Sequence, residues 1–516
     1  MSHVNRRIAL SAAIVMASVL ASRMLGFLRD WTVAHQIGSN AVTDTYYAAF
    51  TLPDFLNYLV AGGAISLTFI PVFAKYAAEN REEEGWHVFS TVITVMGVVL
   101  AALIVVGEIY AGRLVEVIAP GFPPAEKARG VFLTRLMLPA QIFFYLGSIM
   151  SAVQYAKARF LIPSLAPVVY NLGIILGGLL LSSRMGITGF AVGVLGGAFA
   201  GNFLLQVYGA YGVGARFRIN TDVAHAGFRM FIKLTVPIML AQSLIYTDDW
   251  IIRWFGSYLP SASISWLSYA KTLMRVPLGV VGQAVGVASF PFLAQLYSEN
   301  KFDQLNHALN TTLKGVLLLL VPISALTIAE SRPLVYFIYS HTRMRPPDLD
   351  ATAASLVFFS IAMAAWGLQG ILSRGFYAAR DTMTPAVTGT ILTVVALPLY
   401  WFLVHHMQHL GLALASSSGV IAYTLVLFVL LDRRLHNREA GGLVLFTLKI
   451  TIASVLAAAA AYEIVDLLEE RIAWQTTHGA LVVLVIASTV GFVLTFVLAK
   501  LLRVREVDTY WKKLRL

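Results

Sequence analysis

About 14 apolar stretches, each long enough to cross a bilayer, leave this chain few folds to choose from. They fall near 8–37, 41–76, 87–112, 130–157, 161–182, 187–211, 228–257, 264–297, 306–330, 351–378, 384–404, 409–432, 443–465 and 478–502. A spanning helix needs about 20 apolar residues, a spanning strand only about 10. In lipid each backbone polar group must be satisfied within the segment, so stretches of this length fold as helices. The expectation is an all-α polytopic membrane protein. Composition agrees: 13% of residues are charged and 58% hydrophobic, where soluble domains carry about 25% charged residues.

An even number of spans puts both termini on one side. Arg6, Arg7, Lys75, Arg81, Lys157, Arg159, Arg216, Arg218, Arg380, Arg433, Arg434, Arg438, Lys512, Lys513 and Arg515 share the N-terminal side. That side is read as cytoplasmic, because Lys and Arg are retained inside. Loop 331–350, with Arg332, Arg343 and Arg345, runs against the rule; the loop with Asp466, Glu469 and Glu470 suits the outside. The net charge of +11 therefore reports orientation and not a nucleic-acid partner. Met1 to Arg7 looks like a signal-peptide lead, but the run behind it is long and carries Arg23 and Arg29, so it reads as a first span. With no cysteine there is no disulfide or thiolate site. His405, His406 and His409 lack an acidic neighbour at ligand spacing, so a polar outer turn is expected there and no metal. Ala119 to Pro124 breaks any helix.

The second part of the chain repeats the first. Tyr155-Ala156 and Pro163 recur as Tyr377-Ala378 and Pro385, 222 residues on; Ile149 and Ser151 recur as Ile371 and Ser373. Pro71, Ala74 and Glu79-Asn80 recur as Pro291, Ala294 and Glu299-Asn300 at a shift of 220, and Asp30-Trp31 as Asp249-Trp250 at 219. The order implies six-helix lobes at 1–220 and 221–440, followed by two further helices and a basic tail at 441–516. Six is even, so the lobes insert the same way up, related by a pseudo-two-fold axis along the membrane normal. Such repeats place a substrate site between halves and transport by alternating access.

Charge inside the spans marks that site. Each ionised group near the bilayer centre costs roughly 2.5–3.5 kcal/mol on insertion scales and normally faces a polar cavity or a partner. The opening stretch Ala21 to Asp30 carries Arg23, Arg29 and Asp30 around Gly26. Arg23 and Asp30, seven apart, share a helix face, and a bend at Gly26 would bring Arg29 to the same space. Planar guanidinium forks suit phosphate oxygens. Asp44 and Asp54 follow; the second half offers Asp248, Asp249, Arg253, Lys271 and Arg275. Asp249 and Arg253 sit four apart and can neutralise each other. Lys271 and Arg275 are also four apart but like-charged, so they need a cavity or a carboxylate. Arg135, Glu108, Arg374 and Lys449 lie near span ends, where they can snorkel. The glycines (Gly62-Gly63, Gly177-Gly178, Gly196-Gly197, Gly279, Gly282, Gly286) read as close-packing positions. Pro53, Pro71, Pro139, Pro277 and Pro291 are candidate hinges.

These residues resemble a known family. Ser22-Arg23-x-Leu25-Gly26-x-x-Arg29-Asp30, Thr43-Asp44 and Leu52-Pro53 are similar to the opening of the MurJ/MviN lipid II flippases. So are Ala119-Pro120-Gly121-Phe122, Ser265-Trp266 with Tyr269-Ala270, Phe290-Pro291, and Phe376-Tyr377-Ala378 with Asp381-Thr382 and Pro385. The resemblance implies the multidrug/oligosaccharidyl-lipid/polysaccharide exporter superfamily. It also implies two six-helix lobes, and a final helix pair forming a groove toward the cavity. It implies movement of undecaprenyl-pyrophosphate-linked peptidoglycan precursor from the inner to the outer leaflet of a bacterial plasma membrane. The lipid-linked anion, membrane lipids and cell-wall synthesis machinery are the implied partners, with no cofactor. Arg23, Arg29 and Asp44 occupy family cavity positions. The chain departs where members have arginine and it has Asn57, and where they have Asp-Arg and it has Lys271-Thr272.

The function expected is therefore flipping of lipid II through a cationic cavity lined by Arg23, Arg29, Asp44, Lys271 and Arg275. Asp30 and Asn57 would gate or pair, and Asp248 and Asp249 are candidate coupling sites for an ion. No GxxxxGK[ST] motif is present, so an ion gradient or the membrane potential would drive it. The alternatives are export of another lipid-linked oligosaccharide, or a drug/cation antiporter, which would favour an acidic cavity. A membrane-bound glycosyl- or acyltransferase would need catalytic carboxylates or histidines on a polar loop. The loops are short, and Glu82-Glu83-Glu84 reads as a solvated run, so no enzyme is expected.

Overall fold

A computed structural model describes residues 3–57, 64–243, 247–379, 381–437, 439–504 and 506. Gly62, Gly63, Arg380, Arg438, Lys512, Lys513 and Arg515 lie outside the described residues, as do the side chains of Arg6, Arg7, Gly282, Gly286 and Pro291. Among those described there is no strand.

The helices run α1 (His3–Gln36), α2 (Ala41–Ala49), α3 (Thr51–Leu56), α4 (Ala64–Ala78), α5 (Glu82–Ile118), α6 (Pro124–Met137) and α7 (Ala140–Ala156). Next come α8 (Leu161–Met185), α9 (Thr188–Gly197), a π-helical stretch (Ala198–Leu204) and α10 (Leu205–Tyr211). Then follow α11 (Ala226–Ser243), α12 (Thr247–Gly256), α13 (Ser263–Ser298), α14 (Phe302–Ala329) and α15 (Ser331–Tyr339). The chain closes with α16 (Pro346–Ile361), α17 (Met363–Ala378), α18 (Met383–Leu435), α19 (Ala440–Glu469) and α20 (Thr477–Leu501).

Among the described residues, eight helical stretches are long and apolar enough to cross a membrane, or nine with α16 and α17, which meet at 42°. One of the eight, α18, is two spans joined at Gln408. The remaining expected spans fall in α1, α2–α4, α11–α12 and α13, which carry the intramembrane charges. The expected seventh span is helical through α11 and α12, with residues 244–246 outside those described. The expected polar turn at His405–His409 narrows to one residue. His405 and His406 donate from Nδ1 to the carbonyls of Trp401 and Phe402 (2.7 and 2.8 Å) and lie against those rings.

The chain forms two compact units, Met1–Ile264 and Ser265–Leu516. In the first, Phe69, Phe73, Trp86, Phe89, Tyr145 and Phe231 build the core. Tyr145 is fully buried and donates its hydroxyl to Val92 O at 2.7 Å, as a buried phenol must. α11 joins this core: Phe231 stands edge-on to Phe69, and the Thr68 and Thr235 hydroxyls meet at 2.7 Å. α12 is held at its far end, where Gly121 donates to Ser257 Oγ (3.0 Å). A Cβ on Gly121 would meet the Ser257 carbonyl oxygen at 2.5 Å, so the 119–124 break is a tight turn pressed onto α12. The Gly177 position lies equally close to the Gly193 backbone, whereas Gly196 faces open space.

The repeat is visible in the backbone. Asn80 and Asn300 both take left-handed φ (56° and 54°) just past α4 and α13. Arg81 N–H then reaches back to Tyr76 O (2.9 Å), and Lys301 N–H to Leu296 O (3.0 Å). These are paired helix-ending motifs in which Asn replaces the usual glycine. Gly186 (φ 55°, ψ −135°) and Gln408 (φ 51°, ψ −128°) coincide likewise (408 − 186 = 222).

In the second unit α20 buries Ala480, Val483, Ala487, Gly491, Thr495 and Ala499, and exposes Val482, Val485, Val493 and Val497. Lipid offers no hydrophobic drive between helices, so a stripe of small residues gains its stability from close backbone approach.

Candidate functional site

In the first unit α1 presents Met16, Leu20, Met24 and Leu28 as an exposed apolar stripe. Arg23 is exposed on its flank. Asp30 is buried, and Arg29 lies on the side opposite the stripe with its side chain 27% exposed. Arg29 donates from Nε and Nη2 to a single Asp30 oxygen, both at 2.9 Å. A guanidinium has five N–H donors, so three are engaged by no described residue. Tyr46, Tyr47 and Tyr170 stand within electrostatic reach of this group. The Tyr46 hydroxyl is buried with no hydrogen-bond partner among the described residues.

α2 begins where the Asn40 side chain accepts from Val42 N and Thr43 N, a standard N-cap. Asp44 is 3% exposed, and its Oδ2 accepts from Ala262 N at 2.7 Å. Ala262 has φ 81°, uncommon without glycine. Asp44 thus fixes the turn ahead of α13. One oxygen of this expected substrate ligand is committed to the chain's own backbone.

On α12, Arg253 donates from Nη1 to Thr51 Oγ1 (2.8 Å), and its Nη2 lies 3.6 Å from Asp54 Oδ2 on α3. It therefore reaches across to α3, beyond the local neighbour Asp249 that spacing suggested. Asp248 and Asp249 are half-buried in the first turn of α12, with Asp249 in the field of Asp54. Asn57 is half-buried at the end of α3, its N–H on the Asp54 and Pro53 carbonyls. Arg135, half exposed, donates from Nε to the Glu108 carbonyl at 3.0 Å.

The first unit thus gathers Arg29, Asp30, Asp54, Arg253 and three tyrosines. Sequence reading missed the tyrosines and the reach of Arg253. The Tyr46-Tyr47 pair, two residues past Asp44, was the available signal.

In the second unit Lys271 is 5% exposed, its ammonium 5.8 Å from the Phe359 ring centre and 5.7 Å from that of Trp366. Such cation–π contacts hold a desolvated cation. Arg275, one turn on, is exposed. The like-charged pair is thereby split, one cation buried under aromatic rings and the other exposed.

A family model described as "Lipid II flippase MurJ" matches residues 33–479. The chain belongs to the MurJ family. The lipid II flippase MurJ of Burkholderia cenocepacia is 28% identical over 86% of this chain and 87% of its own. The probable lipid II flippase MurJ of Vibrio cholerae is 25% identical over 93% of both. Among solved structures, a lipid II flippase MurJ in an inward closed conformation superposes with a TM-score of 0.79 at 22% identity, covering 95% of this chain and 98% of that one. An inward-facing multidrug resistance MATE transporter gives 0.66 at 12% identity, over 82% and 98%. These likenesses establish the fold. Family and helices together make this a multi-pass bacterial membrane protein of a transporter family.

Proposed function

We propose that this MurJ family member moves lipid II, an undecaprenyl-pyrophosphate-linked precursor, from the inner to the outer leaflet. The observation that carries this reading is Arg29. A mostly buried, partly exposed guanidinium with three donors engaged by no described residue, steadied by a buried aspartate, is built to take phosphate oxygens. Arg23 adds a second exposed guanidinium on the same helix. In the second unit Arg275 and Lys271 are the cationic candidates, Lys271 acting through its field from beneath its rings. Asp44 positions the α2 end of the site. Asp54 with Arg253, and Asp248 with Asp249, form the polar lining where a coupling cation would sit.

Transport proceeds by opening the site alternately to each leaflet, driven by an ion gradient or the membrane potential, with no bond made or broken. Both termini are cytoplasmic, and the product is handed to cell-wall synthesis machinery. The test is rescue of cells depleted of their lipid II flippase, with lipid II exposed at the outer face as the readout. Rescue by the wild-type chain and failure of Arg29→Ala at equal membrane abundance support the reading. Full rescue by Arg29→Ala removes it.

A further inference from the structure

α14 and α15 follow one another with a single intervening residue, Glu330, whereas their repeat counterpart α5 runs unbroken through 37 residues. Glu330 leaves the helical region (φ −104°, ψ 14°) and is 4% exposed. Its Oε2 accepts from Ser488 Oγ of α20 at 2.5 Å; its Oε1 is buried with no partner among the described residues. α20 is seated along the break on both sides of this carboxyl. Toward one end the Ser340 and Thr477 hydroxyls meet at 2.9 Å. Toward the other, Gly491 lies so close to Leu326 that a Cβ would stand 2.3 Å from its methyl.

Among the described residues no cation comes to Glu330. Lys314 of α14 is held by Glu506 (2.7 Å). Arg332 of α15 is half-exposed and held by Asp350 of α16 and Glu469 of α19, both at 3.4 Å. Asp348 of α16 accepts from the Trp266 indole and Arg345 N–H. Asp466 of α19 and His478 and Lys500 of α20 make no recorded bond to it, and the two on α20 sit near its opposite ends. An ionised carboxylate here would have one neutral hydroxyl for its charge, an arrangement that burial strongly disfavours.

We propose that Glu330 is a proton-binding site: its carboxyl holds a proton while α20 lies along the α14–α15 break, and gives it up to solvent water beside the exposed Arg332 when that contact opens. The site lies wholly within the second unit and stands whatever lipid the protein carries.

Infrared spectroscopy of the full chain in lipid nanodiscs tests this. At neutral pH the wild type should show the carbonyl stretch of a protonated carboxylic acid. That band should shift in deuterium oxide, vanish in Glu330→Gln and move to higher frequency in Ser488→Ala, which loses the hydrogen bond. Identical wild-type and Glu330→Gln spectra in this region would overturn the proposal. So would a carboxylate band that responds to sodium chloride in the wild type and not in the variant, which would make the ligand a metal cation. Should Glu330→Gln fail to fold, an unmoved band in Ser488→Ala overturns the proposal alone.

Discussion

The two copies of the repeat keep the same backbone pins and differ in what they do with charge. Asn80 and Asn300 end their helices alike, and Gly186 and Gln408 turn alike. Yet the first unit leaves Arg29 partly open beside Asp30, while the second buries Lys271 beneath Phe359 and Trp366. Backbone geometry outlasts side-chain chemistry because a turn tolerates many residues, whereas a charge in lipid must find a particular answer.

The largest expected effect separates the two cations. Arg29→Ala should lower lipid II flipping by about 10- to 100-fold, the loss of a charge-assisted hydrogen-bonding group worth about 1.5–3 kcal/mol. Lys271→Met, in the same flipping assay, should cost less than about tenfold, since a buried cation acts only through its field. Equal losses would erase the distinction between an open and a buried cation.

The backbone pins offer the next test. Gln408 holds a conformation that suits glycine, so Gln408→Gly should stabilise the protein by about 1 kcal/mol, seen as a higher melting temperature in detergent. Gly186→Gln should destabilise it by a similar amount. There is open space for the side chain at Gly186, so the effect is the backbone alone.

The smallest effect is at the start of α18. Burial would raise the Asp381 pKa, but the Thr384 N–H (2.9 Å) and hydroxyl (2.7 Å) and the Arg434 guanidinium outweigh it and hold it below the ordinary carboxylate value. A depressed carboxylate contributes stability that is present above its unfolded pKa of about 3.9 and lost as pH falls through the folded value. Asp381→Asn should therefore cost about 0.5–1 kcal/mol at neutral pH and nothing in strong acid, read from melting curves across pH.

Much of this was legible beforehand. Span positions follow from apolar length, and the duplication from Glu79-Asn80 and Glu299-Asn300, whose left-handed Asn explains why that pair persisted. Arg29 with Asp30 was legible because charge in a span is rare. The fate of Asp44, Arg253 and Lys271 was not. Each is decided by a partner far along the chain: Ala262, Thr51 with Asp54, and Phe359 with Trp366. Periodicity reports which face a residue takes but not what stands opposite.

Gly121, pressed onto the backbone of Ser257, has a practical corollary. With Thr68 against Thr235 and Arg253 on Thr51, it makes α11 and α12 integral to the first unit. The structural joint near residue 264 therefore lies apart from the joint near residue 220 that the sequence repeat suggests. Split halves expressed as two polypeptides should reassemble when severed at the later joint, and leave Phe69 bare when severed at the earlier one.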